Sequence, residues 1–173
     1  MIATPSYILD ADVLITAKNQ YYAFDICPGF WDSLIHFHEK GYINSIDRVK
    51  NELLAGAKTE NLVQWVKKEV PSEFFLDADS SDVTEAYTNI MLWAQRSTRY
   101  FDFAKAKFAT GADAWLVAFA MVHDVVVVTN EQPRPEAKRE IKLPDVCNQF
   151  GVDYKDIFFV LRSLKISYKW TEG

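Results

Sequence analysis

The stretch ADAWLVAFAMVHDVVVVTNE, residues 112 to 131, decides the fold. Its first half is apolar on almost every side of a helix, and VVVVT, at 125 to 129, is the most strand-like run in the chain. A strand that is apolar at successive positions is covered on both faces, as in a parallel sheet lying between helices. A buried helix running straight into such a strand predicts an α/β protein.

The same alternation extends outward. Toward the N-terminus, Tyr7 to Asp10 reads as a strand, followed by helical spacing through Val13, Leu14 and Ala17. Pro28 suits the first turn of a helix carrying Phe30, Trp31, Leu34, Ile35 and Phe37 or His38 on one side, with Gly41 as its stop. Tyr42 to Ser45 is a second strand, and Ser45 or Asp47 can cap a helix bearing Val49, Leu53 and Leu54. Asn61 to Val70 is amphipathic and stopped by Pro71, Ser72 to Leu76 suggests a third strand, and Ser80-Ser81-Asp82 opens a long helix. Toward the C-terminus, Asn130 to Leu143 reads as an exposed loop, Pro144-Asp145 begins a short helix ending at Gly151, Val152 to Tyr154 is an edge strand, and DIFFVLRSLKI closes the chain as a helix. The expected architecture is a three-layer α/β/α sandwich around a parallel sheet of about four or five strands. There is no internal repeat or linker, so residues 1–173 are expected to form one domain.

Composition supports an ordinary soluble globular protein: 49% hydrophobic against 25% charged residues is neither a disordered nor a fibrous balance. No apolar run approaches the roughly 20 residues of a membrane span, and MIATPSYILD lacks a basic leader region, so a cytoplasmic protein without membrane contact is expected. Cys27 and Cys147 have no metal-ligand or redox spacing and are expected to be free, buried thiols. A net charge of -5 argues against a surface that grips nucleic acid everywhere, but a cluster of metal-binding acids contributes such charge itself.

In an open parallel sheet, functional groups collect where strands end and loops begin. Asp10 ends the first strand, Glu52 lies on the helix after the second, Asp113 starts the helix before VVVVT, and Glu131 follows that strand. Taken singly, Asp12 and Asp113 could be helix caps and Glu52 a solvated helix residue. Asp10 is harder to dismiss, because an unpaired carboxylate buried at an apolar strand end is costly. Clustered carboxylates repel, and a divalent cation relieves the repulsion; oxygen-only ligands select hard ions such as Mg2+ or Mn2+. A metal-dependent phosphodiesterase follows from that chemistry.

The motifs LDADVLI, RVKNELL, ADAWLVAFA and VVVVTNE, in this order, resemble the acidic signature of PIN-domain nucleases, the fold of VapC-type toxins. More narrowly, AKNQYYAFDICPGFWDSL, NSIDRVKNEL and KLPDVCNQFGV resemble a PIN-like branch that shares the aromatic stretch. The resemblance covers nearly the whole chain. It implies that Asp10, Glu52 and Asp113 are the principal metal-binding and catalytic acids. PIN domains often carry an aspartate after the fourth strand; here Thr129-Asn130-Glu131 stands there, making Glu131 the fourth ligand and Asp145 its substitute, with one or two ions left open. Asp12 becomes a helix cap or an additional outer acid. The resemblance also implies an endoribonuclease that hydrolyses RNA phosphodiester bonds with Mg2+- or Mn2+-activated water, a cognate antitoxin protein as partner, and dimerisation. The alternative is a PIN-like scaffold that binds protein or RNA without cutting.

Two further features bear on substrate. Aromatic faces in YYAFDICPGFW, residues 21 to 31, can stack on unpaired bases, although aromatics at helical spacing more often build a core. Among the basic residues Lys18, Arg48, Lys50, Lys105, Lys107, Lys138, Arg139 and Lys142, the group Lys138, Arg139 and Lys142 follows directly on Glu131 and is the expected RNA-binding flap.

Overall fold

A computed structural model describes residues 7–173. The segment 1–6, read above for a leader, lies outside the described residues. The chain runs β1 (Tyr7–Leu9), α1 (Ala11–Thr16), a π-helical turn (Ala17–Tyr21), α2 (Pro28–Glu39), β2 (Ile43–Ile46), α3 (Asp47–Leu54) and α4 (Asn61–Lys68). A 3-10 turn (Ser72–Phe74) leads into β3 (Phe75–Leu76), followed by α5 (Ser81–Arg96), α6 (Asp102–Thr110), α7 (Asp113–His123), β4 (Val126–Val128), α8 (Leu143–Phe150), β5 (Tyr154–Lys155) and α9 (Ile157–Ser163). Helices flank a five-stranded sheet in a three-layer α/β/α sandwich.

All strand pairs are parallel, in the order β3-β2-β1-β4-β5. From β1 the chain builds outward through β2 and β3, then crosses back to lay β4 and β5 on the other side. The direction of winding therefore reverses between β1 and β4, and a crevice opens at their carboxyl ends. Leu9 is in register with Val128, and the Asp10 amide donates to the Val128 carbonyl at 2.9 Å, so both strands end at one level. Ile8, Leu9, Ile43, Val127 and Val128 are wholly buried, as the two-sided apolar pattern requires.

Several local expectations shift. Ser45 does not cap α3; buried in β2, its hydroxyl donates to the Leu9 carbonyl at 2.6 Å and ties β2 to β1. Asp47 lies in the first turn of α3, one residue inside the cap position, and its Oδ1 accepts from the Arg48 amide. Only Phe75–Leu76 of the expected third strand pairs with the sheet, because Ser72–Phe74 coils into the 3-10 turn after Pro71. Helix α6 was not legible, since Ala104 and Phe108 are the only residues it buries. Ser80 does cap α5, accepting from the Val83 amide, and Gly151 ends α8 at φ +68°, where a side chain would be strained. Cys147 is buried, whereas Cys27 is only partly so.

Most of the aromatic stretch is core. Tyr22 stacks on Phe30 with ring centroids 4.4 Å apart, Phe24 on Trp31 at 3.9 Å, and Trp31 meets Trp65 edge-on at 4.9 Å. Of its aromatic rings Tyr21 alone stands exposed, and Ile26 is an exposed apolar residue beside the turn. Among the described residues no helix is long and apolar enough to cross a membrane.

Candidate active site

At the crevice the structure gathers acids from five places in the sequence. Asp10, Asp12, Glu52, Asp113, Glu131 and Glu140 line one cavity of about 260 Å3, together with Lys107 and Lys142.

Asp10 occupies the cap position of α1 but makes no side-chain cap bond. It is 4% exposed, and its Oδ2 accepts from the Thr129 hydroxyl at 3.1 Å. The Thr129 Oγ1 in turn accepts from the Glu131 amide at 3.2 Å, so the end of β4 orients the acid at the end of β1. Glu131 accepts from the Leu143 amide at 3.1 Å, at the start of α8, and lies 3.9 Å from the Lys142 ammonium. Glu52 reaches across from α3 and accepts from the Ala112 amide at 2.8 Å. That amide would otherwise be one of the unpaired N–H groups at the start of α7, and the bond sets Glu52 beside Asp113 in the first turn of that helix. Asp12 is not a cap: it sits in the first turn of α1, and its Oδ1 accepts from Thr16 one turn later at 3.2 Å.

The electrostatics follow from this crowding. Burial pushes the Asp10 carboxyl well above its ordinary range, reinforced by the charges of Asp113 and Glu131 and opposed by the Thr129 bond. Asp113 is raised to about 7, by burial first and then by Glu131 and Glu52, with Lys142 pulling the other way. The thiol of Cys147 is pushed up to about 12, mainly by burial and then by Asp113 and Asp10, so it is an un-ionised thiol beside the carboxylates. A site this rich in unmatched negative charge is suited to a cation.

Oxygen-only donors, two of them carboxyls raised first by burial and then by their acidic neighbours, fit a hard divalent ion. Among the described residues no three cavity acids have oxygens all within 4.8 Å of one another; the trio that does is Asp47, Asp77 and Asp79. That trio is already neutralised in part by Arg48, which bonds Asp47 at 2.6 Å and also Asp79. The wider spacing in the cavity remains compatible with Mg2+, which keeps several waters and is commonly bound through only one or two carboxylates.

The remaining sequence expectations separate cleanly. Asp145 does not line the cavity; its Oδ2 accepts from the Arg134 amide and pins the loop before α8. Lys138 and Arg139 are exposed and outside the cavity, whereas Lys142 enters it, 3.1 Å from Glu140. Lys18 pairs with Glu60, Lys105 donates to the Gln95 carbonyl, and Lys50 lies over the Phe75 ring. The loop is no free flap: Arg99 donates to the Ala137 and Arg134 carbonyls, and the Phe101 amide to that of Lys138. Thr129 and Glu140 were missed as site residues. Thr129 was readable as the one polar residue closing a buried strand; Glu140 had no signal, because only folding of the loop brings it back.

This winding order in a three-layer α/β/α sandwich is a PIN-like fold. Two solved structures share it. One is FitAB bound to an IR36 DNA fragment, at 17% identity over 87% of this chain and 94% of that one, with a TM-score of 0.53. The other is VapBC2 from Rickettsia felis bound to a DNA fragment from their promoter, at 12% identity over 87% and 97% of the two chains, with a TM-score of 0.50. No curated protein matches the chain. By sequence the chain belongs to the DUF4411 family, a domain of unknown function, over residues 7–168.

Proposed function

We propose that this protein is a Mg2+- or Mn2+-dependent endoribonuclease that hydrolyses RNA phosphodiester bonds, and that it is the toxin of a toxin-antitoxin pair. The observation that carries the reading is the convergence of Asp10, Glu52, Asp113 and Glu131 on one cavity at the reversal point of a PIN-like sheet. Both fold relatives were solved on DNA, VapBC2 on a fragment of its promoter, which supports the toxin-antitoxin assignment.

Asp10, Glu52 and Asp113, with Glu131 assisting, would hold the ion. A bound divalent ion supplies positive charge for the phosphate and makes water more acidic. Thr129 keeps Asp10 in one orientation through its hydroxyl. Lys142 and Lys107 at the cavity wall would meet non-bridging phosphate oxygens, and Lys142 also offsets the charges of Glu131 and Glu140. Asp12 and Glu140 complete the acidic rim. An antitoxin would act by covering this cavity, and a second copy of the chain would pair with the first, as the resemblance to PIN toxins implies.

The test is cleavage of a panel of structured and single-stranded RNAs by the purified protein with Mn2+, Mg2+ or chelator, beside Asp10→Asn. Metal-dependent cutting that the variant loses supports the proposal. Full activity in Asp10→Asn overturns the site, and Mn2+ binding absent from the wild type overturns the metal reading in favour of a non-cutting scaffold.

A further inference from the structure

A second cleft, of about 320 Å3, adjoins the acidic cavity and shares Asp12 with it. Its size is at the small end for organic ligands. The π-helical turn Ala17–Tyr21 and the segment after β4 form its walls. Nothing in the nuclease reading uses it.

We propose that this cleft binds one unpaired nucleobase of the RNA, next to the phosphate in the acidic cavity, with the base stacked on Tyr21 and its edge read by Gln20, Asn130 and Gln132. The proposal rests on the nuclease reading for its place in the reaction, and on separate observations for the base.

The first observation is how Tyr21 is presented. The π turn is closed by the Tyr22 amide donating five residues back to the Ala17 carbonyl at 2.7 Å. Such turns are rare and recur at functional sites. Here the turn sends two adjacent tyrosines opposite ways: Tyr22 is stacked in the core on Phe30, whereas Tyr21 is 57% exposed. Phe158 braces the Tyr21 ring in a near-perpendicular contact at 5.6 Å, 80°. An exposed but braced aromatic is the platform on which unpaired bases stack.

The second observation is the chemistry of the rest of the lining. None of its residues is cationic, and Asp12 and Asp156 are acidic, so the cleft repels a phosphate and favours the neutral part of a nucleotide. Three carboxamides surround the platform. Asn130 uses its Oδ1 to accept from the Ile157 amide, which leaves its NH2 to offer to a base acceptor. Gln20 and Gln132 are exposed and can present either end. Polar edges around an aromatic face are the requirements for reading a base, and the shared Asp12 puts that base beside the reacting phosphate.

The test follows side-chain NH2 resonances of the 15N-labelled full chain during titration with AMP, CMP, GMP and UMP, with ribose 5-phosphate as the probe lacking a base. The Gln20, Asn130 and Gln132 signals are expected to shift with nucleotide and not with ribose 5-phosphate. Tyr21→Ala should weaken binding at least about five-fold, the lower end for loss of one stacking partner, and Tyr21→Trp should restore it. In a single-stranded RNA pool, Tyr21→Ala and Gln132→Ala should flatten the base preference at the cut site. If no RNA is cut but these amides shift with nucleotides alone, the nuclease reading fails and the base site stands. If RNA is cut, the amides do not move, and both variants keep the wild-type cut-site preference, the base site is overturned and the nuclease stands. Equal shifts with ribose 5-phosphate also overturn it.

Discussion

Replacing Asp113 by asparagine should make the metal-free protein more stable at neutral pH while destroying its response to metal. Asp113 is raised from its ordinary 3.8 to about 7 by burial and by Glu131 and Glu52. Between those two values the folded protein holds a proton that the unfolded chain has released, so stability falls as pH rises through that window and levels off above it. The full displacement corresponds to roughly 4 kcal/mol of destabilisation at pH 7.5. Asparagine has no charge to repel, but its amide is still partly desolvated, so about half of this, roughly 2 kcal/mol, should be recovered. For a chain of this size that is a rise of about 4–8 °C in Tm.

The assay is thermal denaturation of wild type and Asp113→Asn in chelator at pH 7.5 and pH 4.5, then with saturating Mn2+. The gap should be largest at pH 7.5 and largely closed at pH 4.5, where the wild-type carboxyl is itself protonated. Wild type should gain about 2.7 kcal/mol with the ion at a hundred times its dissociation constant, and the variant little. An Asp113→Asn protein no more stable than wild type in chelator at pH 7.5 would refute the argument that repulsion among these acids burdens the fold.

Three further outcomes follow from the hydrogen bonds of the site. Thr129→Val removes the hydroxyl that orients Asp10 and should cost about 10–100-fold in Mn2+ affinity or cleavage, measured by metal titration, with the fold retained. Glu52→Gln keeps an oxygen for the Ala112 amide and should leave stability within about 1 kcal/mol while cleavage falls about 100-fold; Glu52→Ala orphans that amide and should unfold in urea about 1–2 kcal/mol more easily. Lys142→Ala should raise KM more than it lowers kcat, and the log-log salt dependence of RNA binding should flatten by about 0.7, the share of one phosphate contact on a single strand.

The strands and helices that carry the site were legible because their signals are local. Two-sided apolar runs marked β1 and β4, and Pro28, Ser80 and Gly151 punctuated helices where the structure starts or stops them. Helix α6, with two inward residues, lacked such a signal. Asp10, Asp113 and Glu131 stood out as candidates because each lies just past a strand end or in a first helical turn, whereas Glu52, in the last turn of α3, stood out only as part of the ordered set. Their coupling was not legible, since it runs through long-range bonds such as Glu52 to Ala112, sixty residues apart. Nor could spacing show that Tyr21 and Tyr22 part company: a regular helix would place them about 100° apart, and the π turn that separates core from solvent leaves no mark in composition.

The four acids divide by what holds them. Glu52 and Glu131 each accept from a backbone amide at the beginning of α7 or α8, so part of their charge is met by the N-terminal end of a helix. Asp10 has the Thr129 hydroxyl, and no side-chain hydrogen bond meets Asp113 among the described residues. Those two carry the imbalance, and each raises the electrostatic cost of the other. A double-mutant cycle on Asp10→Asn and Asp113→Asn in chelator at pH 7.5 therefore separates shared repulsion from independent burial. Removing either charge relieves the pair, so the double variant should gain less than the sum of the singles, by about 0.5–3 kcal/mol in denaturant unfolding. Gains that add within about 0.5 kcal/mol would mean that each carboxyl suffers only its own burial, and the reason for placing a cation between them would disappear.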